Sequence, residues 1–405
     1  MKLYINEDVI AVNNKYENLI FLYDRFKHIK YDINEDMFNI IKRVYKDDGV
    51  SYEVMCGEYE GIENTISDLI SLDIIKTKKQ KRCNNIKELF DIPSARLFVE
   101  LTDKCNLRCK HCYGDFKPEN FNTLDIDALK ELIDQAVNLG VYQFDITGGE
   151  PLLYPNLEEL LSALYDAGML VTVFSNLTVL TNKSLELLKK YKVKKIITSI
   201  DSSDAKAHDD FRGVKGSFNK TLDSINSIKT TSTIEVAVNT MVGKHNYNNI
   251  ENTILFLKEL NVPCVLDSII PNGRAKEGRE NPFYATQVIH DLYGKENINV
   301  VLKITDCGVG KRFMYVKSNG NICLCPSLTE KEFVFGNINK TLDIKVVWKK
   351  MLDKYCDLRC NKNCAKKEIC NGGCRARALK FKKSLYAEDL NSCILSGECA
   401  YDEIK

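Results

Sequence analysis

From residue 95 onward the chain alternates short, strand-like apolar runs with longer stretches whose apolar residues recur every three to four positions. The strand-like runs are ARLFVEL (95–101), VYQFDIT (141–147), LVTVFSN (170–176), KKIITSID (194–201), IEVAVNTMV (234–242) and VLDSII (265–270). Between the first two, Leu129, Leu132, Ile133, Ala136 and Val137 line one helical face, closed by Gly140 as a C-cap. This rhythm is that of parallel β/α architecture, and six strands are too few to close an eight-stranded barrel. In such folds the site lies at the C-terminal strand ends, where the polar clusters of this region also fall.

Residues 1–80 read differently. KLYINEDVIAV and NLIFLYD form two strands with a turn at Asn14, and Met37, Ile40, Ile41 and Val44 mark a helix. A short SYEVMC segment, a second helix through Ile62, Ile66, Leu69, Ile70 and Leu72, and the strand-like IIKTK follow. The order resembles a winged helix of the type that binds leader sequences of ribosomally made peptides. A DNA-reading winged helix should present a basic face, whereas this region carries 15 Asp and Glu against 11 Lys and Arg. Leader recognition by strand addition at a sheet edge leaves little motif. Residues 81–94 read as a polar connector holding Cys83 as an incidental thiol.

The 405 residues leave room for two or three domains. A net charge of +1 gives no global field to recruit nucleic acid or a membrane surface, and no run of eighteen apolar residues occurs. The acidic N-terminus is unlike a signal peptide, so a cytoplasmic protein is expected. Sixteen cysteines in a reducing compartment point to metal rather than disulfides.

Three of them set the chemistry. In LTDKCNLRCKHCYG, Cys105, Cys109 and Cys112 stand in C-x3-C-x2-C spacing with His111 before the last. A [4Fe–4S] cluster takes four cysteines, so three leave one iron open to a small molecule; a zinc knot would need a fourth ligand close by. The motif resembles the signature of the radical S-adenosylmethionine (SAM) enzymes. That resemblance implies an α/β partial (β/α)6 TIM barrel over residues 95–300, a [4Fe–4S] cluster whose open iron binds SAM, and reductive cleavage to a 5′-deoxyadenosyl radical. It implies cofactor contacts from His111, from Gly148, Gly149 and Glu150 of GGEP, from Ser175 and Asn176, from Ser199 and Asp201, and from Arg212 in a stretch resembling HDxxRGxxGSF. It also places the arginine of Pro271–Ala275 (PNGRA) on the cavity wall, and calls for a one-electron donor such as flavodoxin or ferredoxin.

After the barrel, FMYVKSNGNICLCP reads as a hairpin turning at Asn319-Gly320. Cys307, Gly320-x4-Cys325, Cys360-x3-Cys364-x5-Cys370-x3-Cys374 and Cys393 resemble the SPASM extension of radical SAM enzymes, over residues 301–405. The resemblance implies two auxiliary clusters, one on Cys307, Cys325 and Cys374, with the fourth position taken by Cys323 or Cys356 or left open for a substrate thiolate, the other on Cys360, Cys364, Cys370 and Cys393. The family spacing opens with C-x2-C, and here the gap is three, which puts the role of Cys360 in question. Cys56 and Cys399 are expected to be spare and Cys264 to pack in the core. Together these features imply a maturase that installs an oxidative crosslink, thioether first, in a precursor peptide bound through its leader. A sulfatase-maturating type of enzyme and carbon–carbon or carbon–oxygen crosslinking are the alternatives.

Overall fold

The computed structural model describes residues 1–89, 96–276, 288, 307–365, 370 and 372–395. The N-terminal unit runs β1 (Lys2–Ile5), β2 (Val9–Asn14), β3 (Leu19–Asp24), β4 (Ile29–Asp32), α1 (Glu35–Lys46), β5 (Val50–Ser51), α2 (Tyr52–Glu58), α3 (Glu63–Ser71), β6 (Ile75–Lys76) and β7 (Ile86–Leu89). Helix α1 starts where it does because the Asn34 side chain accepts from the Met37 amide, with Glu35 and Asp36 in the first turn and Arg43 and Lys46 in the last.

Two expectations are corrected here. KLYINEDVIAV is two strands: Asn6 breaks it, accepting from the Asp8 amide and donating to the Asp73 carbonyl. Strand β1 then joins β5 and β6, while β2 joins the sheet β4-β3-β2-β7. The connector at 81–94 is partly structural, since β7 pairs in parallel with β2.

The barrel follows as β8 (Arg96–Glu100), α4 (Ile126–Asn138), β9 (Gln143–Thr147), α5 (Leu157–Asp166), β10 (Leu170–Phe174), α6 (Asn182–Lys190), β11 (Lys195–Ser199), α7 (Ala205–Arg212), α8 (Ser217–Thr231), β12 (Glu235–Val242), α9 (Ile250–Glu259) and β13 (Cys264–Ser268). The C-terminal region adds β14 (Phe313–Val316), β15 (Asn321–Cys323), β16 (Val334–Asn337), α10 (Ile344–Tyr355), α11 (Arg375–Lys382) and α12 (Leu390–Leu395). The six expected parallel strands are present in order, but the sheet does not stop with them. It continues through β14, parallel to β8, and on to β15 and β16, making nine strands. Without β14 the edge of β8 would expose a row of unpaired backbone groups. Among the described residues no helix is long and apolar enough to cross a membrane.

The N-terminal unit is docked under the barrel. Ile10, Val12, Phe21, Tyr23 and Leu89 form one buried cluster with Tyr142 and Leu170, which stand at the starts of β9 and β10. At the end of helix α5, where carbonyls run out of helical N–H donors, the unit supplies donors to three carbonyls in succession, in addition to the Gly168 amide on Tyr165 O. Arg25 Nη1 donates to Tyr165 O at 2.8 Å, the Asn84 amide to Asp166 O at 2.8 Å, and Lys87 Nζ to Ala167 O. The Arg25 guanidinium among them is a cation, which also suits the negative end of the helix dipole. The base of the barrel is thereby covered, leaving the C-terminal strand ends for chemistry.

Candidate active site

The cysteine loop leaves β8 and is clamped from two sides. The Leu101 amide donates to Thr147 O at 2.9 Å, while the Arg108 and Lys110 amides donate to Arg212 O and Phe211 O at 3.1 and 3.0 Å. Every thiol in the loop has an N–H donor. Cys105 Sγ receives Leu107 N at 3.5 Å and Asn176 Nδ2 at 3.9 Å, Cys109 Sγ receives Arg212 Nη1 at 3.8 Å, and Cys112 Sγ receives Phe116 N at 3.3 Å. Burial, with the neighbouring charges of Glu150, Cys109 and Cys112 adding to it, pushes the Cys105 thiol up to about 12, so it needs a cationic ligand to become a thiolate. The three cysteines face a cavity of about 200 Å³, into which His111, Gly148, Gly149, Ser175, Asn176, Ser199 and Arg212 also look.

The paired glycines serve close approach. A Cβ on Gly149 would lie 2.2 Å from Lys104 O, and one on Gly148, at φ +147°, 2.5 Å from Thr102 O. Glu150 and Asp201, expected at the cofactor, stand instead behind the wall. Glu150 is fully buried and accepts from Ser175 Oγ (2.7 Å), the Asn176 amide (2.8 Å) and the Leu152 amide (3.1 Å). Burial pushes its carboxyl up to about 7 against those donors. Asp201 accepts from Arg212 Nε at 2.6 Å and the Met241 amide at 3.1 Å. Burial would raise its carboxyl, but the guanidinium prevails and holds it at about 2. Both carboxylates thus position residues that do face the cavity, a role that motif spacing does not reveal.

Four polar atoms of residues on that wall are buried without hydrogen-bond partners among the described residues, Arg212 Nη2, His111 Nδ1, Tyr113 OH and Thr198 Oγ1. Burial holds His111 at about 3, hence neutral, and its ring stacks on Phe211 at 4.5 Å; Phe211 in turn stacks on His245 at 3.4 Å. The sequence reading passed over this stack, since its members come from the loop, α7 and the segment after β12. It also passed over Asn239 in the wall. Arg274 does reach the wall, as expected, and does more. Its Nε donates to Cys109 O (2.9 Å), its amide to Cys112 O (2.9 Å), and its Nη1 to Asp115 Oδ1 (2.7 Å), latching the loop from outside.

The C-terminal cysteines fall into two groups. Cys360, Cys364, Cys370 and Cys393 line one small cavity, with the Lys362 and Gly372 amides each 3.3 Å from a sulfur. Cys325 is buried, and after burial itself the charges of Cys307 and Cys374 raise its thiol most. Cys323 lies apart from that trio; after burial, its electrostatic neighbours are Lys317, Glu100 and Glu330. Cys356 caps α10, Cys264 is half-buried beside Thr240 Oγ1, and Cys399 lies outside the described residues. Asp389 binds the groups together, accepting from the Cys374 amide, Arg377 Nη2 and Ser392 Oγ, each at 2.8 Å.

Among the described residues no three Cys, His, Asp or Glu side chains converge closely enough for a single metal ion. A four-iron cluster asks for something else, because each thiolate binds its own iron and the sulfurs stand apart. The donor set therefore fits a cluster, and the unpartnered guanidinium N–H beside it fits a ligand carboxylate.

Comparison with known proteins agrees. Residues 99–257 match the radical SAM superfamily and residues 307–375 an iron–sulfur cluster-binding domain, SPASM. The antilisterial bacteriocin subtilosin biosynthesis protein AlbA of Bacillus subtilis is 30% identical over 319 residues, covering 73% of this chain and 70% of AlbA. An AdoMet-dependent heme synthase of Methanosarcina barkeri is 30% identical over 337 residues, covering 73% of this chain and 95% of that one. The fold is that of Streptococcus suis SuiB, solved with its precursor peptide SuiA, at TM-score 0.65 and 17% identity over 97% of this chain and 100% of that one. The chain is a radical SAM enzyme: it belongs to the radical SAM superfamily with a SPASM domain, whose cofactors are a [4Fe–4S] cluster, SAM and auxiliary iron–sulfur clusters.

Proposed function

We propose that this enzyme installs an oxidative crosslink, with a thioether as first choice, in a ribosomally synthesised precursor peptide. One observation carries the reading: a strand-and-helix unit with an open sheet edge is built into the base of the catalytic barrel. Strand β4 ends its sheet among the described residues, with Ile29 on the strand and Phe26 just before it exposed, a surface suited to adding a leader strand. AlbA, a bacteriocin biosynthesis protein, and SuiB, solved with a precursor peptide, support it.

In this reading Cys105, Cys109 and Cys112 hold the SAM-binding cluster. Arg212 pairs with the SAM carboxylate, and Ser175, Asn176, Ser199 and the Gly148-Gly149 backbone complete its site, positioned by Glu150 and Asp201. Cys360, Cys364, Cys370 and Cys393 hold one auxiliary cluster. Cys307, Cys325 and Cys374 hold the other, with one position left to Cys356 or to a cysteine of the peptide. When bound, the cluster and SAM supply the radical that removes a hydrogen atom from an unactivated carbon. The residues around the cavity orient SAM and keep water out. Leader and core are bound at opposite ends of five-residue strands, so the peptide spans at least about 17 Å between them.

The test is anaerobic incubation of the reconstituted enzyme with SAM, reductant and a candidate precursor peptide that carries a leader and a cysteine-containing core. A mass loss of about 2 Da per crosslink, abolished by removing the leader, is expected. An unmodified peptide under conditions that cleave SAM would overturn the reading. The heme synthase relative favours a second one, a SAM-dependent step of heme formation, which modification of a porphyrin in place of the peptide would support.

A further inference from the structure

Arg375 opens α11, one residue after Cys374, and is only 1% exposed. An arginine is rarely buried so completely without an acidic partner, because a guanidinium taken out of water needs a countercharge. Among the described residues Arg375 has no such partner. Its Nη1 donates to Leu385 O at 2.9 Å and Ala387 O at 2.8 Å, its Nε donates to Gly373 O at 3.4 Å, and its Nη2 is buried without a partner. Arg377, two residues on, is the contrast. Its Nε and Nη2 donate to the Asp389 carboxylate at 3.0 and 2.8 Å, so that nearby negative charge is already matched.

The Arg375 guanidinium packs against the backbone that carries two other cysteines. A Cβ on Gly372, at φ +92°, would lie 3.5 Å from Arg375 Cζ and 2.9 Å from the Cys360 amide nitrogen. The Gly372 amide donates to Cys370 Sγ at 3.3 Å, and Gly372 lines the same small cavity as Cys360, Cys364, Cys370 and Cys393. The charged residues that also line it are Asp389, matched by Arg377, and Lys362. Four thiols around one cavity, two of them receiving amide N–H groups, fit a four-iron cluster. With four thiolates such a cluster is a net anion, and reduction adds a further negative charge.

We infer that Arg375 is the countercharge of the cluster held by Cys360, Cys364, Cys370 and Cys393, a positioning residue that stabilises its reduced state. It acts through the cluster and does not touch substrate. A cation fixed in a dry interior is felt over several ångströms and is little screened by salt, so its removal disfavours the more negative state. The inference rests on the proposed assignment of those four ligands and is independent of which substrate the enzyme modifies.

The test is a redox titration, followed by electron paramagnetic resonance, of the full-length Cys105→Ala/Cys109→Ala/Cys112→Ala protein, in which only the auxiliary clusters report. One electron enters from the dithionite titrant, and no bond or proton changes hands. With Arg375→Gln added, the reduction equilibrium of one auxiliary cluster should fall about tenfold, about 59 mV for a one-electron couple, with iron content unchanged. Arg375→Lys should bring it back to within about threefold of the parent, while Lys382→Gln, which removes an exposed cation from the same helix, should leave it unmoved. Cys370→Ala/Cys393→Ala should abolish the resonance that shifts, together with about four iron atoms. Loss of iron in Arg375→Gln but not in Arg375→Lys would support the inference equally. An unmoved midpoint in Arg375→Gln with its iron retained, or loss of iron in both the Gln and the Lys variants, would overturn the countercharge with the ligand assignment left standing. Survival of the shifted resonance in Cys370→Ala/Cys393→Ala would overturn the ligand assignment, and the inference with it.

Discussion

The two ends of the barrel use the same device for opposite purposes. At the base, Gly168 and Gly140 bring backbones together: a Cβ would lie 2.0 Å from Asn84 O at the first and 2.2 Å from Glu88 O at the second. At the mouth, Gly149 and Gly273 do likewise against the cysteine loop, at 2.2 Å from Lys104 O and 2.3 Å from Cys112 O. The base closes over an apolar cluster and a helix end supplied with donors, whereas the mouth stays concave and keeps Arg212 Nη2 and His111 Nδ1 unmatched. Close approach stabilises where the space behind it is filled, and prepares a binding site where that space is left open.

Substitutions at the two ends sharpen the contrast. The largest effect is expected from Gly149→Ala, which displaces the loop carrying the thiols: SAM cleavage should fall by about a hundredfold or more in a deoxyadenosine assay. Arg212→Met cuts across the comparison, because this mouth residue also neutralises Asp201. Leaving a buried carboxylate unpaired should cost about 3–5 kcal/mol in urea unfolding, with loss of activity. At the base, Gly168→Ala should cost about 1–3 kcal/mol and leave SAM cleavage per folded molecule unchanged.

Smallest at each pH step, though it accumulates over several, is a pH dependence. Burial lowers the Lys87 amine to about 7. Between that value and the ordinary lysine range the unfolded chain binds more protons than the folded one, so stability rises with pH from about 7 to 10, by at most about 1.4 kcal/mol per unit. Below pH 7 the advantage is gone. Lys87→Met should flatten this slope in denaturation curves across that range.

Legibility in the sequence followed range along the chain. Cys105, Cys109 and Cys112 share one loop and one spacing, and the six barrel strands each announce themselves by local pattern. Asn319-Gly320 marks its hairpin for the same reason. Strand β7 was hidden because IKEL sits in a polar stretch and becomes a strand only by pairing with β2, some seventy residues earlier. Strand β14 was readable as a strand but not as the partner of β8. Glu150 and Asp201 were found as site residues by motif, yet their place behind the wall depends on donors from Ser175, Asn176 and Arg212 that only the fold assembles. The stack of His111, Phe211 and His245 left no trace in spacing.

The most direct measurement is deoxyadenosine released from SAM by anaerobically reconstituted enzyme with dithionite, alongside its iron content. The expected result is steady release by the wild type, none from the Cys105→Ala/Cys109→Ala/Cys112→Ala variant, and a loss of about four iron atoms in that variant with the C-terminal clusters retained. Equal release and equal iron in the two proteins, or no release from a fully loaded wild type, would contradict the assignment of that loop as the SAM-cleaving centre.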